Sequence, residues 1–225
     1  MAVGFQAAGA IATNIATAIT PPAPAGTAAT DIVLAVIYGD FGTGAITPPT
    51  GWTLVNRTDD VGGVQNVAVY WALGSATFGA YTIPTPQSGA MGFTLGYTGV
   101  DNTTPMDVAA AGQSNASSTT ATAPSITTVT ANAWGVCFFG VKVVATFTDV
   151  APLVHRQSGS FNTGQDFSFA LDGADFPQAT AGATGTHTTT ASVAAVNQGV
   201  TAALRPSAAA AAAVPGQVSY AYGPN

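Results

Sequence analysis

Across 225 residues this chain contains no glutamate, ten aspartates and only four basic residues, Arg57, Lys142, Arg156 and Arg205. Helix surfaces are ordinarily built from Glu, Lys, Arg and Gln, whose straight side chains keep their rotamer freedom on a helix. Here the polar positions are filled by Thr, Ser, Asn and Gly instead. Threonine is β-branched and suits a pleated strand, while Asn, Asp, Gly and Pro suit the turns between strands. The chain is therefore expected to be all-β.

The same deficit limits what the surface can do. Charged residues are 6% of the chain, against roughly 25% in ordinary soluble proteins. A surface of short Thr, Ser and Ala side chains loses little entropy when a neighbour packs on it, which predicts assembly. A secreted protein of drifted composition is the plainer alternative. The net charge of −6 excludes a phosphate-neutralising role, so no nucleic-acid partner is expected. Cys137 is the only cysteine; it has no internal partner and sits in the apolar run Trp134–Phe139, as a buried structural thiol would. No basic stretch followed by an apolar core opens the chain, and no apolar run nears the roughly 20 residues that span a bilayer. Synthesis in a cytoplasm without an obvious export route, and no membrane partner, are expected.

Residues 31–38, Asp31-Ile-Val-Leu-Ala-Val-Ile-Tyr38, form the strongest strand candidate, a continuous apolar run suited to burial on both faces. Further strands are predicted at 52–55, 66–73, 80–83, 91–98, 124–130, 134–144, 167–171 and 188–204. Asp59–Gly63 reads as a turn. In residues 3–19 the four-residue spacing of Ile11, Ile15 and Ile19 also fits a helix face, but β-branching and missing charge favour strand. Short strands separated by turn signals predict a sandwich or barrel. Past Arg205-Pro206 come Ser207 and six alanines, Ala208 to Ala213. Residues 206–225 are expected to be a disordered tail or an arm that docks on a neighbouring subunit through Tyr220 and Tyr222.

Motifs that carry chemistry are sparse. His155 and His187 stand apart from any metal-ligand spacing and read as structural or surface histidines. There is no Gly-x-Ser-x-Gly elbow, and the Gly-rich stretch Gly39–Gly44 has no lysine and reads as a loop. Paired carboxylates could come only from Asp59/Asp60, Asp101/Asp107 or Asp166/Asp172/Asp175, each of which also suits a turn. The last group is the one candidate for an oxygen-rich cation loop, although its spacing matches no EF-hand and Asp172-Gly173 is equally a turn dipeptide. Trp52, Trp71 and Trp134, like Tyr38, Tyr70, Tyr81 and Tyr97, lie in strand-like segments and are expected in the core rather than on a sugar-stacking shelf. A hydrolase would need a convergent Asp or His site, and nothing in the spacing points to one.

Several phrases in order, Thr47-Pro-Pro-Thr-Gly-Trp-Thr-Leu-Val55, Val69-Tyr-Trp-Ala72, Leu95-Gly-Tyr-Thr-Gly-Val-Asp101 with Pro105, and Ala123-Pro-Ser125, resemble jelly-roll-like virion structural proteins of tailed bacteriophages. The resemblance spans roughly residues 1–205. It implies a jelly-roll-like antiparallel β-sandwich over 1–205, with 206–225 outside the pattern. It also implies a place in the virion after assembly in the host cytoplasm, other virion proteins (major capsid or tail) as partners, and a homo-oligomer, a trimer being the expected symmetry. The leading expectation is a capsid decoration or minor capsid protein. The alternative is a tail or tail-fibre module that binds a host-surface receptor or glycan through the loops at 39–51 and 157–166. No enzyme activity, cofactor, or catalytic, cofactor-binding or metal residue is implied.

Overall fold

The computed structural model describes residues 2–84, 89–162 and 168–208. Sixteen strands and no helix are found among them. The first half of the chain supplies β1 (Gly4–Ala8), β2 (Ala12–Asn14), β3 (Ala18–Ile19), β4 (Ile32–Asp40), β5 (Thr53–Asp59), β6 (Gln65–Leu73), β7 (Tyr81–Thr82) and β8 (Ala90–Thr98). The second half supplies β9 (Ala111–Ala123), β10 (Thr127–Thr128), β11 (Ala133–Val141), β12 (Phe147–Asp149), β13 (Val154–Asn162), β14 (Ser168–Gln178), β15 (Gly182–Ala183) and β16 (His187–Leu204).

The antiparallel sandwich expected from the sequence is present, but its strands are divided between the sheets by halves of the chain rather than interleaved. One sheet runs β1-β8-β4-β6-β5, with β2 also on β8. The other runs β9-β16-β11-β14-β13, with β12 continuing along the edge of β16 beyond β11. Each strand of the first order has its counterpart at the same place in the second. The small pairs β3-β7 and β10-β15 correspond as well. The chain is thus an internal structural repeat, joined through residues 99–110, where Val100 and Met106 bridge to Pro206 and Leu204.

Period-two alternation explains the core. Leu34, Val36 and Tyr38 point inward with Phe93 and Leu95 to meet Phe138, Leu171 and Val200 of the other sheet. The intervening Val33, Ala35 and Ile37 face outward, yet are covered by Phe41, Ile46, Trp52 and the β3-β7 pair. Burial on both faces is why 31–38 reads as an unbroken apolar run. Rings cross the interface edge to face: Tyr38 meets Phe169 at 5.6 Å between centroids. Gln198 Nε2 donates to the Gln65 carbonyl at 3.2 Å.

The outer face of the second sheet is covered differently. The far halves of β9 and β16, with β12 beside them, bend back across β11 and β14, so that Ala121 and Ala123 pack on Cys137, Phe139, Ala174 and Phe176. Gly199 makes this fold-back possible: a Cβ there would stand 2.2 Å from the Thr122 carbonyl oxygen.

Candidate functional site

Two clusters form where β13 lies against β14, and a β-bulge sorts their members. Pairing along β13 skips Arg156, between His155 opposite Ala174 and Gln157 opposite Gly173. The extra residue turns Arg156 and Gln157 to the inner face while His155 and Ser158 share the outer one. On β14, Asp172 and Asp175 are an odd number of residues apart and so face opposite sides. The candidate oxygen-rich loop does not exist as such: Asp172-Gly173 is mid-strand, not a turn, because both residues pair with β11 and β13. Asp166 lies outside the described residues.

On the inner side, Asp175 is fully buried. Arg156 Nη2 approaches its Oδ1 at 2.7 Å, and the Tyr97 hydroxyl donates to Oδ2 at 3.2 Å. Burial and the neighbouring carboxylate hold the Tyr97 pKa well above its ordinary value, which keeps the phenol a donor. The Arg156 guanidinium lies 4.3 Å from the Phe5 ring centroid. This group ties the two sheets together.

On the outer side, the fold-back brings Asp149, the last residue of β12, over β13 and β14. His155 Nδ1 is 3.2 Å from Asp149 Oδ2 and 3.1 Å from Asp172 Oδ1. The donor atoms of the three residues lie within 4.8 Å of one another. Asp172 is fully buried and the Asp149 side chain nearly so, while half of the His155 side chain meets solvent. Among the described residues, Asp149 Oδ1 and Asp172 Oδ2 meet no hydrogen-bond donor, and Asp172 Oδ1 meets only the His155 nitrogen. Burial pushes the Asp172 carboxyl up to about 7, the imidazole opposing and Asp149 adding to the shift. Contact with Asp172 raises the His155 pKa against the effect of burial. The far side of the imidazole faces Ser158, whose Oγ is 3.5 Å from Nε2. The connectivity Ser–His–Asp resembles a nucleophilic triad, but the Ser158 separation is long, and one nitrogen faces two carboxylates where a triad needs one.

The other sequence candidates are structural. Asp60 accepts from the Val64 and Gln65 amides, and Asp101 from those of Thr103 and Thr104. Asp107 accepts from the Val129 and Thr130 amides. Asp59 pairs with Arg57 at 2.7 Å. Gly39 and Asp40 still belong to β4, so the expected loop begins only after them, where Arg57 donates to the carbonyls of Gly42 and Gly44. His187 is buried against the Phe176 ring, 3.9 Å between centroids. Tyr38, Tyr70, Tyr81, Tyr97, Trp52 and Cys137 are buried as expected; Trp71 and Trp134 are half-buried against the main core. The 157–166 stretch is not a loop through Asn162, because those residues continue β13. A concavity of about 460 Å³ bordered by Ala2, Asp31, Gly99, Asp101 and Ser207 shares no residue with the Asp149–His155–Asp172 group.

The fold and this group define an antiparallel two-sheet protein with a carboxylate–imidazole cluster on one outer face. Among known proteins, no family model, no curated protein and no solved structure matches the chain.

Proposed function

We propose that this protein is a structural component of a bacteriophage virion, a capsid decoration or minor capsid protein that works as a homo-oligomer and stabilises the particle surface. The observation that carries the reading is the edge strand β9. It runs thirteen residues without a charge or a proline, and Ala116, Ser117, Thr119 and Thr120 on it are exposed. Sheet proteins that stay apart protect such edges with Lys, Pro or a covering segment. The middle of this edge, exposed, polar and low in side-chain entropy between ends that pack on the protein's own sheets, suits coverage by a neighbouring subunit.

The phrases that resemble virion proteins fall on positions that shape the fold. Gly51 has φ +90°, and Trp52 after it donates to the Thr77 carbonyl at 3.0 Å. Tyr97 bridges the sheets, and Gly99 has φ +72°, a conformation glycine adopts at little cost. A tail module that stacks on glycans gains no comparable support, since Trp52 is buried and Trp71 and Trp134 lie half-buried against the main core.

The test is immunogold electron microscopy of particles from a lysate, with light scattering on the purified chain. Label over the head and an oligomer in solution support the decoration reading. Label at the tail tip replaces it with receptor binding. Particles without label overturn the virion assignment.

A further inference from the structure

We infer that Asp149, His155 and Asp172 form a binding site for one divalent transition-metal cation, zinc being the fitting case, which pins the folded-back β12 to β13 and β14. Three independent features of the geometry lead there. The first is spacing. Two bonds of about 2.1 Å meeting at about 90° to 110° leave their donor atoms about 3.0–3.4 Å apart. His155 Nδ1 stands 3.1 Å and 3.2 Å from its two carboxylate oxygens, within that window, and all three donor atoms lie within 4.8 Å of one another.

The second feature is charge and satisfaction. Two carboxylates at a neutral imidazole sum to the charge a divalent ion cancels. Asp149 Oδ1 and Asp172 Oδ2, both buried, have no hydrogen-bond donor among the described residues, and Asp172 Oδ1 has only the His155 nitrogen it shares with Asp149, although buried polar atoms are nearly always hydrogen-bonded. A cation supplies what these oxygens lack.

The third feature is the far side of the ring. A metal-bound histidine commonly donates its other N–H to a neighbouring acceptor, which fixes tautomer and orientation. Ser158 Oγ, placed by the bulge at Arg156, is the acceptor on that side, at 3.5 Å from His155 Nε2, and fills this role once the ring settles slightly toward it. The half-exposed imidazole gives the ion an entry path and leaves a coordination position for water. One nitrogen and two carboxylates suit zinc, manganese or ferrous iron; calcium would require six or more oxygens. The inference stands apart from any role in a particle.

The experiment is calorimetric titration of zinc chloride alone into the full-length, tag-free, chelator-stripped protein, with thermal unfolding followed at rising zinc concentration. Wild type is expected to take up one equivalent and to melt at a higher temperature as zinc increases. Asp149→Asn and His155→Gln, both nearly isosteric, should each weaken uptake at least tenfold and abolish the thermal shift. Ser158→Ala, which touches only the far side of the ring, should weaken it severalfold. His187→Gln should leave it unchanged. Circular dichroism confirms folding of each variant, and Asp149→Asn at the edge of β12 decides the matter if Asp172→Asn does not fold. Absence of saturable uptake by wild type overturns the inference. So does one-equivalent binding that survives both Asp149→Asn and His155→Gln.

Discussion

Removing the charge of Arg156 should cost far more than its partly exposed position suggests. Its side chain is 20% exposed, but that of Asp175, the carboxylate it faces, has no exposure at all. Arg156→Met keeps an apolar stem over Phe5 and strands the Asp175 charge between the sheets. Breaking one side of a buried pair costs about 3–5 kcal/mol. Because Tyr97 still donates to Asp175, the low end, about 3 kcal/mol, is expected. At about 2–4 °C per kcal/mol for a chain of this length, the melting temperature should fall by about 6–12 °C. The decisive variant carries a second change. Asp175→Asn, added to Arg156→Met, keeps an acceptor for Tyr97 and removes the stranded charge, so the double variant should be more stable than Arg156→Met alone by about 1–2 kcal/mol. Urea titrations followed by tryptophan fluorescence and far-ultraviolet circular dichroism measure both values at constant m. A loss below about 1 kcal/mol for Arg156→Met, or a double variant weaker than the single one, would refute the claim that this ion pair matters through desolvation.

Gly199→Ala should destabilise by about 1–3 kcal/mol, because the new methyl meets the Thr122 carbonyl at 2.2 Å and the fold-back must lift; urea unfolding of the variant against wild type checks it. Burial pushes the Cys137 thiol up to about 12, so it should resist Ellman's reagent at pH 8 in the native protein and react at once in guanidinium. His187 is held below its ordinary pKa by burial. The unfolded chain therefore binds that proton more readily, and stability is lost as pH falls below the unfolded value of about 6.5. Relative to His187→Phe, wild type should lose stability between pH 7 and pH 5; a constant difference across that range would exclude the mechanism.

The strands most legible in the sequence are the ones buried on both faces, although the half-exposed β5 and β16 are also marked, at 52–55 and 188–204. Residues 31–38, 66–73, 91–98 and 134–141 announce themselves as apolar runs because neither side meets water. Besides the three-residue β12, the strands that stayed hidden, β9 and β13, are the two edges of the second sheet, where Ser, Thr, Gln and Asn replace the apolar residues that mark period two. The end of β14 was obscured by Asp172-Gly173, a dipeptide that usually turns a chain. Strand parity alone separates Asp172 from Asp175 once that strand is extended. The union of Asp149, His155 and Asp172 had no local signal: it depends on a bulge at Arg156 and a fold-back pivoting over Gly199, both set by contacts distant along the chain. The repeated strand order was equally invisible, because what recurs is the sequence of pairings rather than the residues.

That recurrence has a consequence for how the surface could diversify. A half-length chain with this topology, paired face to face with its own copy, would already bury an apolar interior. It would also carry every substitution twice, once on each outer face. Joined in tandem, the copies are released from that constraint. The outer face of the first sheet is sealed by Trp52, Tyr70 and Tyr81, while that of the second gathers two carboxylates and an imidazole. Fusion thus lets one copy keep the scaffold watertight while the other accumulates chemistry.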